Sequence, residues 1–61
     1  MANLTAKELA ALDDQLAQEQ VLIKKYRMYA QQLSDVQLKA KCEQIATEHQ
    51  NHYNTLMSYL N

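Results

Sequence analysis

Two runs of mostly apolar residues, each spaced in alternating steps of three and four, fill almost the whole chain, and they are out of phase with one another. The first runs through Leu9, Leu12, Leu16, Glu19, Ile23, Tyr26, Ala30 and Leu33; the second through Leu38, Cys42, Ile45, His49, His52, Leu56 and Tyr59. This spacing is the a/d seam of a helix packed in a left-handed bundle. Carrying the first phase past Leu33 would bury Gln37, Ala40, Gln44, Thr47, Asn51, Asn54 and Ser58, a set with too little apolar surface for a core. The chain must therefore break near residues 33 to 35 and fold back. The pattern predicts an antiparallel two-helix hairpin, with helices over about 5–32 and 36–60 joined by a short turn.

Local signals agree with that division. There is no glycine or proline anywhere, while alanine, leucine, glutamine, lysine and glutamate, the better helix formers, abound, so the composition is all-α. Thr5 is placed as an N-cap with Glu8 three residues on to complete a capping box, and Leu4 and Leu9 are set as a hydrophobic staple. At the break, Ser34 and Asp35 are both good N-cap residues, and Gln37 is positioned to close a box with Ser34.

A chain of 61 residues buries too little surface in one core to be stable without help, and a single cysteine cannot form an internal disulfide. Cys42 reads as a small buried hydrophobe, and nothing activates it as a nucleophile. Oligomerisation is the remaining source of stability, and a second hairpin closing a four-helix bundle is the remedy with fewest parts. Charge favours one arrangement. The turn half carries Lys24, Lys25, Arg27, Lys39 and Lys41 against Asp35 and Glu43, whereas the open half carries Lys7 against Glu8, Asp13, Asp14, Glu19 and Glu48. Two hairpins packed turn to open end would pair opposite signs. The expectation is a homodimer. The balance of charge lacks the basic stripe a nucleic-acid partner requires, and no apolar run is long enough for a membrane span or a signal-peptide core, so a cytoplasmic protein is expected.

Three seam residues are polar: Glu19, His49 and His52. With a turn near 33 and 34, partners across the hairpin should have numbers totalling about 67. Glu19 is then expected opposite Glu48 and His49, Ile23 opposite Ile45, Tyr26 opposite Cys42, Leu16 opposite His52, and Leu12 opposite Leu56. The polar residues fall in one layer at the middle of both helices, close to the dyad of a dimer. One reading is a metal site for zinc or iron, with Glu48 as a secondary ligand, since imidazole and carboxylate suit both ions. The other is a metal-free layer in which Glu19 accepts hydrogen bonds from the histidines and sets register.

Glu19-Gln20, Leu22-Ile23-Lys24-Lys25-Tyr26, Tyr29-Ala30, Asp35, Leu38-Lys39, Cys42, Ile45-Ala46 and His49-x-x-His52-Tyr53 together resemble the small spore coat protein F-like group of Gram-positive spore formers. That group is ferritin-like in fold. The resemblance implies a helical bundle associated with the spore coat and with other coat proteins. The wider ferritin-like family places a Glu on one helix and Glu-x-x-His on the next. Glu19 matches the lone Glu and His52 the His, but His49 stands where the second Glu would be, which removes a bridging carboxylate. The combined expectation is a non-enzymatic structural or assembly protein, a homodimeric ferritin-like four-helix bundle. The alternative is a metal-binding protein with a two-metal Glu/His site at the dimer centre.

Overall fold

The computed structural model describes residues 3–60. Helix α1 spans Ala6–Gln32 and helix α2 spans Val36–Ser58, and the two pack side by side into a rod of 45 × 15 × 11 Å. Each boundary has a local cause. At the start of α1, the Thr5 hydroxyl accepts from the Glu8 N–H at 3.1 Å while the Glu8 carboxylate accepts from the Thr5 N–H at 2.9 Å, closing the expected capping box. The bonds from the Thr5 backbone and side chain hold the Glu8 carboxyl below its ordinary pKa.

The turn needs no glycine because no described residue has a positive φ. Leu33 leaves α1 in an extended conformation (φ −78°, ψ 141°), its N–H still bonded to the Tyr29 carbonyl at 3.0 Å. Asp35, also extended, caps α2 by accepting from the Leu38 N–H at 2.9 Å. The cap is thus Asp35 with Leu38, and not the box from Ser34 to Gln37. At the far end, the N–H groups of Tyr59 and Leu60 bond three residues back, to the carbonyls of Leu56 and Met57, in a tightened closing turn.

The buried residues are Leu16, Glu19, Ile23 and Ala30 from α1 and Cys42 and Ala46 from α2. On α1 these lie on the seam read from the sequence. On α2 the inner stripe is turned. Lys39, Ala46, Tyr53 and Leu60 lie toward α1 alongside Cys42, His49 and Leu56, whereas Leu38, His52 and Tyr59 are exposed and Ile45 is half-buried. Alternate seam positions have each moved on by one residue. The line of closest approach between two helices favours small side chains, and Ala46, at 2% exposure, is the most enclosed of the core residues. The bulkier Leu38, Ile45 and Tyr59 are left on a flank.

Glu19 meets His49 as the register predicts, while the pairing of Tyr26 and His52 departs from it in a systematic way. The ring of Tyr26 meets His49, 6.2 Å between centroids, about two helical turns from its expected partner Cys42. Likewise the His52 ring lies beside Glu19, one turn further from the open end than Leu16. Every Cα–Cβ bond tilts toward its own helix N-terminus. In an antiparallel pair, α1 side chains therefore lean toward the open end and α2 side chains toward the turn. Long side chains consequently meet partners several residues beyond the backbone register.

The two broad faces of the rod differ. On one, Gln20 donates to the Tyr53 hydroxyl at 3.2 Å across a shallow groove also lined by Ile23, Lys24, Arg27 and Gln50. The other carries Leu22, Tyr26 and Tyr29 from α1 and Leu38, Ile45, His52 and Tyr59 from α2, with the polar layer at its centre. Neither helix is long and apolar enough to cross a membrane.

Candidate metal centre at the polar layer

Glu19 is delivered by the middle of α1, and His49 and His52 by successive turns of α2, one helical step of three apart. The hairpin brings all three together: one ligand atom from each lies within 4.8 Å of the others. Their exposure is graded. The Glu19 side chain is 7% exposed, that of His49 23% and that of His52 60%, so the cluster has a buried floor, a wall and an open rim.

His49 Nδ1 stands 2.5 Å from Glu19 Oε1. A carboxylate can only accept, so Nδ1 carries the proton and donates it. Gln15 donates to the second oxygen, Oε2, at 3.3 Å, and His52 Nδ1 approaches the same oxygen at 3.7 Å, within reach of an ion pair but too far for a hydrogen bond. Aromatic packing orients the imidazoles: the Tyr26 ring stacks on His49 with 16° between planes, and His52 meets His49 edge to face at 5.5 Å. Tyr29 in turn meets Tyr26 edge to face at 5.9 Å.

Burial pushes the Glu19 carboxyl toward its neutral form. The hydrogen bonds from His49 and then Gln15, with the electrostatic influence of the two neighbouring histidines, outweigh it and leave the Glu19 pKa below its ordinary value. Among the described residues no buried side-chain polar atom lacks a hydrogen-bond partner. The metal-free layer is thus internally satisfied. The donor set is equally suited to an ion, and the Glu19, His49 and His52 cluster could hold one.

Glu48, the secondary ligand candidate, is exposed and outside the cluster, and it forms no ion pair with His52 among the described residues. Two participants go beyond the sequence reading. Gln15 lies four residues before Glu19 on the same helix face, a spacing that could have marked it as an orienting partner. Tyr26 packs on His49 and not on Cys42 because of the side-chain tilt described above, which the sequence pattern does not carry. Cys42 is buried with a free thiol and lies outside the metal-ligand cluster. In comparisons with known proteins, no family model matches the chain, and neither the curated proteins nor the solved structures yield a significant match.

Proposed function

We propose that this chain is a non-enzymatic, self-associating helical module in which two hairpins pair through the face bearing the polar layer to close a four-helix bundle. The observation that carries this reading is the apolar surface left on that face. Leu38 and Tyr59 are 53% and 52% exposed, Tyr29 adds 36%, and Leu22, Ile45 and Leu56 are half-buried beside them. No large side chain of the described residues is fully enclosed, so the hairpin by itself has a thin core. Closing a second copy over this face would complete the burial, and the basic turn half against the acidic open half favours the antiparallel arrangement. The resemblance to coat F-like proteins supports a structural role in a spore coat, among other coat proteins.

Sedimentation equilibrium at micromolar concentration tests the pairing. The expected result is a dimer for the wild type, loss of association for Leu38→Lys, and no change for Val21→Lys, whose 64% exposed side chain lies on the far side of α1. A fully folded, monodisperse wild-type monomer refutes the proposal.

The clustering of Glu19, His49 and His52 favours a second reading, a metal-binding protein with zinc or iron in the layer at the bundle centre. Protein purified without chelator and submitted to elemental analysis tests it; a metal-free product that takes up neither ion refutes it.

A further inference from the structure

We infer that Glu19, His49 and His52 of one hairpin form a three-donor site for a divalent ion of the zinc type, and that its open coordination position faces the second copy, so that metal binding and pairing reinforce one another. This inference deepens the two readings above and rests on both.

Geometry is the first support. Donor atoms on a tetrahedral zinc with bonds near 2.0 Å stand about 3.3 Å apart. The carboxylate–imidazole contacts are 2.5 Å from Glu19 Oε1 to His49 and 3.7 Å from Glu19 Oε2 to His52, and one ligand atom from each of the three residues lies within 4.8 Å of the others. Entry of the ion therefore requires the His49 contact to open by about 1 Å and the wider separations to close by no more than about 1.5 Å. The ion takes the place of the proton between His49 Nδ1 and Glu19 Oε1, and the neutral imidazole that binds it carries its one proton on Nε2. The contact that must close belongs to His52, whose largely exposed side chain is free to swing inward.

Support around the donors is the second. Gln15 holds the other oxygen of Glu19, and the Tyr26 ring lies flat on His49, so the buried donor and the wall donor are each oriented by a neighbour that need not move.

The gradient of exposure is the third. With Glu19 beneath and His52 at the rim, the side of the ion opposite the protein opens onto the face carrying Leu38, Ile45 and Tyr59. Two imidazoles and one carboxylate leave a tetrahedral ion one ligand short. In a bundle closed over this face, that position meets the polar layer of the partner copy.

The test uses the full chain, stripped with chelator and dialysed. Zinc chloride is titrated by calorimetry, and association is followed by sedimentation equilibrium with and without zinc. The expected result is saturable binding of one zinc per chain and a dimer association constant at least tenfold higher in zinc. His52→Ala removes a mostly exposed side chain, so its helicity should match wild type while its zinc affinity falls at least tenfold. Absence of saturable binding at millimolar zinc overturns the site, even if the chain dimerises and the bundle stands. Wild-type zinc affinity in His52→Ala also overturns it. Zinc binding by a chain that remains a folded monomer overturns both the coupling inferred here and the paired bundle.

Discussion

Replacing His49 by leucine isolates the contact on which the polar layer depends. The Glu19 carboxylate, 7% exposed, would lose its 2.5 Å hydrogen bond and keep only Gln15 at 3.3 Å, with His52 at ion-pair distance. Removing one member of a fully buried ion pair costs 3–5 kcal/mol, and because His49 is itself 23% exposed and Gln15 stays bound, about 2–3 kcal/mol is expected here. For a chain of 61 residues that is a fall in Tm of about 16–24 °C. Adding Glu19→Leu removes the stranded carboxylate and should return the melt to the wild-type value or above it, because a well-packed apolar layer is at least as stable as a buried pair. The assay is thermal melting by circular dichroism at fixed chain concentration, since any self-association would add to apparent stability, with chelator present to exclude metal. If His49→Leu melts with the wild type, or if the double variant melts no higher than the single one, Glu19 is not held by His49 and the reasoning fails.

Three further outcomes are expected. The Glu19 pKa is depressed in the folded state, so its stabilising contribution is present above the unfolded carboxyl pKa of about 4.3 and is lost as pH falls through the folded value. In His49→Leu, burial dominates and the slope should invert, the variant gaining relative stability on acidification; melts from pH 7 to pH 3 with parallel slopes would contradict this. Ala46→Leu inserts bulk at the closest approach of the helices and should cost about 1–3 kcal/mol in urea unfolding; an unchanged midpoint would return position 46 to the solvated flank. Ile23→Ala, at 5% exposure, should cost about 2–5 kcal/mol in the same assay, a loss that a half-exposed side chain would not show.

The two helices, the break between them and the cap at Thr5 were legible in the amino-acid sequence alone, because each rests on interactions between residues at most four apart. The break could be placed without glycine or proline because the apolar phase changes there, and the seam of α1, with Glu19 on it, followed from the same periodicity. Which stripe of α2 turns inward was decided by tertiary packing. Ile45 carries more bulk than Ala46 and looks like core by hydrophobicity, yet two helices approach most closely over small residues, and Ala46 takes the centre. The polar layer shows the same division. That Glu19, His49 and His52 share one level of the hairpin follows from counting outward from the turn. That His49 is bonded while His52 stands at the rim, and that Tyr26 covers His49 and not Cys42, depends on the rotation of α2 and on the opposed tilt of side chains in antiparallel helices, neither of which a one-dimensional pattern contains.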